Sequence, residues 1–247
     1  MKISGNTILI TGGGSGIGRE LARRFNELGN VVIVAGRRLS ALEETVAGRR
    51  DMHAMTVDVE DSDAITAFAE RVVAEHPRLN VLINNAGIMR HEDLTRTRDL
   101  RDAEQTVVTN LLGPIRLTNA LTDHLAGQSD AAIMNVSSGL AFVPLSVTPT
   151  YNATKAAIHS YTVSLRERLN GKVEVIELVP PAVQTELTPG QSSREDYMPL
   201  GDFIDETMAL LREQPTPREI LVKRVNFLRW AERDGHFDQA VEMLSVH

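Results

Sequence analysis

Short β-branched runs alternate with amphipathic stretches along the chain, and the first junction between them is packed with glycine. Thr7 to Thr11 reads as a buried strand and Gly12-Gly13-Gly14-Ser15-Gly16-Ile17-Gly18 as a tight turn; Ile17, Leu21, Ala22, Phe25 and Leu28 then share one helical face before Gly29. Val31 to Ala35 and Met52 to Val57 restart strands, and Ile65, Phe68, Ala69, Val72 and Val73 recur at three-and-four spacing until Pro77. Val81 to Asn84, Ala131 to Val136, Val173 to Val179 and Ile220 to Val222 are four more short runs. These four are too apolar on both faces for a half-solvated antiparallel sheet. Strands separated by helices require right-handed crossovers, so the pattern predicts an α/β fold: a doubly wound, mostly parallel seven-stranded sheet with helices on both faces.

A single domain spanning 1–247 suits this length, and its 42% hydrophobic and 24% charged content is that of an ordinary globular protein. No apolar run approaches the roughly 18 residues of a membrane span. With 26 basic against 33 acidic residues, a net charge of −7 and no basic stripe, nucleic acid is an improbable partner. The absence of cysteine removes disulfides and thiolate chemistry, and Met1 to Asn6 carries no charged-then-apolar secretion signal, which together predict a cytoplasmic protein. His53, His76, His91, His124, His159, His236 and His247 lack ligand spacing, so no metal is expected. The polar stretch 186–199 reads as a lid over a site. Val225, Leu228, Trp230 and Ala231, then Phe237, Ala240, Val241 and Leu244, read as terminal helical turns broken at Gly235 that serve packing or subunit contacts.

In such a Rossmann-type sheet a ligand sits at the carboxyl ends of the strands, where the winding reverses. The glycine turn lies there, and its backbone N–H groups and the following helix dipole suit a phosphate. Its spacing is not G-x-G-x-x-G, because Arg19 stands where the third glycine would be; nor is it a P-loop, because Arg19 and Glu20 replace the lysine and hydroxyl. What remains, Gly12-x-x-x-Gly16-Ile17-Gly18 with Ser15 inside it, permits a tight turn and close approach of a pyrophosphate. The second strand ends Ala35-Gly36-Arg37-Arg38 with no acid before Glu43. An acid there would bind the adenosine ribose, whereas Arg37 would hold a 2′-phosphate by a charge-assisted bond worth about 1.5–3 kcal/mol. NADP(H) is therefore expected, with NAD(H) second.

Tyr151 and Lys155 stand at i and i+4, neighbours on one face if a helix starts here. A phenol of pKa near 10 must fall by about three units, roughly 4 kcal/mol, to exchange protons readily at neutral pH. A unit charge about 4 Å away supplies about that much at an effective dielectric of about 20. The lysine is thus expected to acidify the tyrosine.

The glycine turn, Asn84-Asn85-Ala86-Gly87 after the fourth strand, Asn110 in a helix, Ser138 past the fifth strand and Tyr151-x-x-x-Lys155 together resemble the short-chain dehydrogenase/reductase family, from about Thr7 to Thr185. That resemblance implies Tyr151 as general acid/base and Lys155 as the group that lowers its pKa and binds the nicotinamide ribose. It implies Ser138 on the substrate oxygen and Asn110 anchoring a water in a proton relay ending at Lys155. Asp58 and Val59 would flank the adenine, Asn85, Ala86 and Gly87 would support the cofactor, and Val183 and Thr185 would meet the carboxamide. The family's usual Pro-Gly after the sixth strand is Pro180-Pro181 here, so Pro181 makes this cofactor-facing turn more rigid. The Pro-Pro turn and Ser138-Gly139-Leu140-Ala141-Phe142 are similar to a bacterial subgroup of oxidoreductases linked to cell-wall D-alanylation gene clusters.

The resemblance implies interconversion of a carbonyl and a secondary alcohol on a small-molecule substrate, by a homodimer or homotetramer packed through the helices bearing Asn110 and Tyr151. Leu140, Phe142, Val143, Leu145, Ile88 and Met89 are the expected apolar pocket, with Arg90 and His91 at its polar edge. The rival from another class is a non-catalytic NADP(H)-binding regulatory or interaction protein, since a fold alone does not establish turnover. An epimerase or dehydratase of the related longer family would need more chain after Thr185 for its substrate domain.

Overall fold

The computed structural model of the protein describes residues 1–245. The chain runs β1 (Thr7–Thr11), α1 (Gly16–Glu27), β2 (Val31–Gly36), α2 (Leu39–Val46), β3 (Met52–Thr56), α3 (Ser62–Glu75), β4 (Leu79–Asn84), α4 (Arg101–Val107), α5 (Gly113–Ala126), β5 (Ala132–Val136), α6 (Pro149–Arg168), β6 (Glu174–Leu178), α7 (Leu200–Leu211), β7 (Glu219–Ile220), α8 (Asn226–Arg229) and α9 (Phe237–Ser245). All seven strands join one sheet in the order β3-β2-β1-β4-β5-β6-β7, and every pairing is parallel. The winding reverses between β1 and β4, which fixes where a ligand crevice opens.

The central strands β1, β4 and β5 are buried at every residue and so on both faces, whereas the edge strand β3 exposes His53 and Thr56. Leu21 and Phe25 of α1 pack with Phe203, Ile204 and Met208 of α7 on one face, against Ile8, Ile10, Ile83 and Met134. Ile65 and Phe68 of α3 with Leu117, Leu121 and Leu125 of α5 cover the other, against Leu9, Ile33, Leu82 and Ile133. The α3 helix starts where Asp61 caps the N–H groups of Asp63 and Ala64 at 2.9 and 3.0 Å. No helix among the described residues is long and apolar enough to cross a membrane.

The terminal turns break at Gly235, whose φ of +75° suits glycine, and Val143 is fully buried in one cluster with Ala231 and Ala240. Val143 therefore belongs to the core, not to a pocket, and the Phe142 ring packs edge-on against His159, 4.9 Å between centroids, with the Arg229 guanidinium 4.3 Å over it. His247 lies outside the described residues.

Candidate active site

The β1–α1 turn is built by close approaches that only glycine tolerates. A Cβ on Gly18 would lie 2.5 Å from both the Gly12 carbonyl oxygen and Asn85 Nδ2, so α1 can start this close to β1 only without a side chain there. Gly12 and Gly16 have φ of +67° and +51°, and a Cβ on Gly16 would touch Thr185 at 3.4 Å, which places the turn opposite the loop after β6. Gly18→Ala is accordingly expected to cost about 1–3 kcal/mol by overpacking, at ~2–4 °C of melting temperature per kcal/mol in a domain of this size. Gly201 of α7, with open space around its Cα, is the control, and its alanine variant should melt no lower than the parent in the same thermal scan.

Ser15 leads into α1 without a side-chain cap, and no acid occupies the first turn. The orphan N–H groups of Gly16 and Ile17 thus form an anion cradle at the positive end of the helix dipole. They open into a cleft of about 390 Å³ at the switch point, whose lining includes Gly12, Ser15, Gly16, Ile17, Arg37, Arg38, Val59, Asn85, Ala86, Gly87, Ser138, Tyr151, Lys155, Pro181, Val183 and Thr185. An elongated dinucleotide fits that donor set: uncapped amides in the middle, two guanidinium groups at one end and hydroxyls at the other. Asn85 fastens the cleft floor, its Nδ2 donating to the Thr11 carbonyl at 2.9 Å, while Thr11 Oγ1 accepts from the Asn85 and Ala86 amides at 3.1 Å.

Three of the predicted catalytic and cofactor-binding residues stand outside the cleft lining, and of the predicted pocket residues Ile88 alone lines it. Gly18 lies beneath the turn. Asp58 spends Oδ1 on the Glu60 amide at 3.0 Å and faces a neighbouring depression beside Arg37. Asn110 sits in a π-helical turn, Val108–Leu112, between α4 and α5. Its Oδ1 accepts from the Ile88 amide and its Nδ2 donates to the Ile88 carbonyl, both at 2.8 Å, which ties the chain after β4 to this turn. A Cβ on Gly87 would lie 3.3 Å from Asn110 Oδ1 and 3.7 Å from Lys155 Nζ, so Asn110 and Lys155 flank the same backbone.

At the far end of the cleft Ser138 lies directly beyond β5. Its Oγ accepts from the Leu140 amide at 3.1 Å, which leaves the hydroxyl proton free to donate. Tyr151 and Lys155 lie in the opening turns of α6, only 6% and 5% exposed, and Lys155 Nζ donates to the Val136 carbonyl at 2.8 Å. The expected acidification of the tyrosine is reversed here: burial pushes the Tyr151 hydroxyl up to about 12, with a Ser138 hydrogen bond pulling weakly the other way. Burial also pushes Lys155 down to about 8, opposed by the Glu177 carboxylate. The ammonium stands 5.5 Å from the Tyr151 ring centre and spends a donor on Val136, so its field at the hydroxyl is outweighed by desolvation.

Of the residues that line the cleft, Glu60 escaped the sequence reading and Gln191 entered it only as part of the lid stretch. Glu60, from the loop after β3, accepts from Arg37 at 2.9 Å and from Thr109 Oγ1 at 2.9 Å, so an acid does stand beside the end of β2, supplied from elsewhere in the chain. Gln191, in the stretch 186–199, is 6% exposed and donates to the Val183 carbonyl at 2.8 Å and Thr185 Oγ1 at 3.2 Å. With the paired backbone of Gln184 and Met198 at 2.8 Å, it ties that stretch to the loop after β6. The ligating cluster among the described residues is His159, Glu177 and Glu219, but Arg229 donates to both Glu219 oxygens at 2.7 and 2.9 Å, so a guanidinium already meets the charge a metal would.

The short chain dehydrogenase family profile matches residues 6–196. The uncharacterized oxidoreductase DltE of Bacillus subtilis is 40% identical over 250 residues, covering 100% of this chain and 99% of its own, which agrees with the resemblance to that bacterial subgroup. A Burkholderia cenocepacia short chain dehydrogenase solved with NADP superposes with a TM-score of 0.83 over 98% of this chain and 99% of its own, at 23% identity. A Burkholderia phymatum short chain dehydrogenase/reductase solved with NAD gives 0.81 over 96% of both, at 22% identity. With three quarters of its length matched by the family profile and a full-length oxidoreductase relative, the chain belongs to the short-chain dehydrogenase/reductase family of oxidoreductases.

Proposed function

We propose that the protein is an NADP(H)-dependent oxidoreductase that interconverts a carbonyl and a secondary alcohol, with Tyr151 as general acid/base. The observation that carries this reading is one continuous cleft that begins at Arg37 and Arg38, passes the uncapped start of α1 and ends on Ser138, Tyr151 and Lys155. A nicotinamide cofactor bound there supplies the hydride. Ser138 and Tyr151 both donate to the substrate oxygen, and Tyr151, held protonated by its burial, delivers the proton to the developing alkoxide. Lys155 binds the ribose hydroxyls and adds positive charge. Its ammonium titrates at about 8, so activity is full near neutrality and falls as pH rises past that value. The 186–199 stretch, through Gln191 and Leu187, acts as the substrate lid.

The preference for NADP(H) over NAD(H) rests on Arg37 and Arg38. The Arg37–Glu60 pair does not cancel it, because Arg37 is half-exposed and such pairs contribute only about 0–1 kcal/mol. NADPH is expected to bind about 10–100-fold tighter than NADH. Glu60→Gln, which frees Arg37, should widen the gap, and Arg37→Ala should narrow it. Fluorescence titration checks all three, and equal affinities in the parent chain refute the preference.

Turnover itself is tested by NADPH consumption against a panel of aldehydes and ketones. Binding without consumption would favour the non-catalytic NADP(H)-binding alternative. Light scattering tests the accompanying expectation of a homodimer or homotetramer, packed through the helical segments bearing Asn110 and Tyr151, in a protein of the cytoplasm.

A further inference from the structure

Behind the cleft, α6 and the far edge of the sheet enclose a carboxylate that the mechanism above leaves unused. Glu177 is fully buried on β6, on the face covered by α6. A glutamate carboxylate in such a place is costly unless cations and donors surround it. One oxygen, Oε2, meets His159 Nδ1 at 2.8 Å; the other, Oε1, has no hydrogen-bond partner among the described residues.

His159 is one helical turn beyond Lys155, and both side chains share a face with Tyr151 at i, i+4 and i+8. Lys155 Nζ rests on the carbonyl of Val136 in β5, whose register partner in β6 is Leu178, the neighbour of Glu177. Adjacent strands stand about 4.8 Å apart, so the backbone of Glu177 lies one strand over and one residue before the register partner of the carbonyl that seats the ammonium.

We propose that Glu177 is a positioning residue for Lys155: a buried counter-charge, steered by His159, that keeps the ammonium charged at the catalytic end of the cleft. The inference rests on the reading of Lys155 as a group that acts there. The surrounding charges fit the role. From α6, Lys155, His159 and Arg166 face Glu177; from β7 comes Glu219; from α8, Arg229, which occupies Glu219. Arg229 occupies both oxygens of Glu219, whereas Glu177 keeps one oxygen without a hydrogen-bond partner, and its charge opposes the desolvation of Lys155.

The chain has four lysines, Lys2, Lys155, Lys172 and Lys223, so the test can read Lys155 directly. Lysine side chains are labelled with ¹³C and ¹⁵N in the full-length protein, Lys155→Met assigns the signal, and its midpoint is followed by NMR against pH. Glu177→Gln is expected to lower the Lys155 midpoint by about one pH unit or more. Glu177→Asp, which keeps the charge but draws it back, should lower it by a smaller amount and carries the test if Glu177→Gln does not fold. An unmoved midpoint in the folded variant overturns the inference, even if the melting temperature drops, because that pattern describes a structural residue only.

The alkaline limb of NADPH-dependent carbonyl reduction separates the two readings. If limb and NMR midpoint fall together, both stand. If the midpoint falls but the parent chain shows no turnover, the counter-charge stands and the proposed enzymatic function fails.

Discussion

Tyr151→Phe is expected to lower carbonyl turnover by about 10²–10⁴-fold, the usual contribution of a positioned general acid, while leaving NADPH affinity and melting temperature nearly unchanged. Tyr151 lines the cleft and is only 6% exposed, and burial holds its pKa at about 12. Such a phenol is protonated throughout the neutral range and gives its proton only to something more basic, which the alkoxide formed during reduction is. The direction of the shift therefore suits delivery of a proton to a reduced carbonyl. Stability should hold, because the deleted hydroxyl's partner is Ser138, and one such bond contributes about 0.5–1.5 kcal/mol net. Steady-state kinetics on the best carbonyl substrate, with NADPH titration and a thermal scan of the same samples, check the three parts. Undiminished turnover sinks the assignment of Tyr151.

What was legible in the sequence was what depends on local pattern. The seven strands follow from apolar runs and the helices α1 and α3 from three-and-four spacing, and the strand ends fall within a few residues of Thr7–Thr11, Val31–Gly36 and Ala132–Val136. The glycine turn was legible because Gly12, Gly16 and Gly18 answer steric demands made by their immediate neighbours. Illegible were features made by chain segments distant in sequence. Glu60 reaches Arg37 across 23 residues, and no inspection of the end of β2 reveals it. Phe142 and Val143 adjoin a candidate catalytic serine in sequence yet pack on His159 and Ala231 because the terminal helices cover that edge.

The Tyr151 hydroxyl failed for a different reason. Spacing places a cation one turn away but says nothing of how dry the place is, and desolvation decided the sign. Glu177 did leave a signal, being a glutamate inside a run that reads as buried on both faces, where an unpaired carboxylate is not tolerated.

Lys155→Met should separate stability from activity through pH. The folded chain holds the lysine proton less firmly than the unfolded chain does, with a midpoint of about 8 against an ordinary value near 10.5. Between those two values the unfolded state binds more protons, so this residue's contribution makes the parent more stable as pH rises. Below about 8 the cost of burying the charge is present in full, and by about 10.5 it is gone. At 1.36 kcal/mol per unit the window is worth roughly 3 kcal/mol. Methionine keeps the apolar stem and carries no charge, so the variant lacks that rise. Groups shared by both proteins, Tyr151 among them, largely cancel in the comparison.

The variant's stability relative to the parent should therefore fall by roughly 3 kcal/mol between pH 7 and 10.5. Part of its advantage at pH 7 is offset because the Val136 carbonyl loses its donor, at about 1–3 kcal/mol. Turnover at pH 7 should drop at least about 10²-fold, as when a single preorganised electrostatic donor is removed. Denaturant melts of both proteins at pH 7, 8.5 and 10 measure the difference. Parallel stability curves would mean that the buried ammonium binds its proton as firmly as a solvated one, and would remove the basis for an alkaline limit to activity near pH 8.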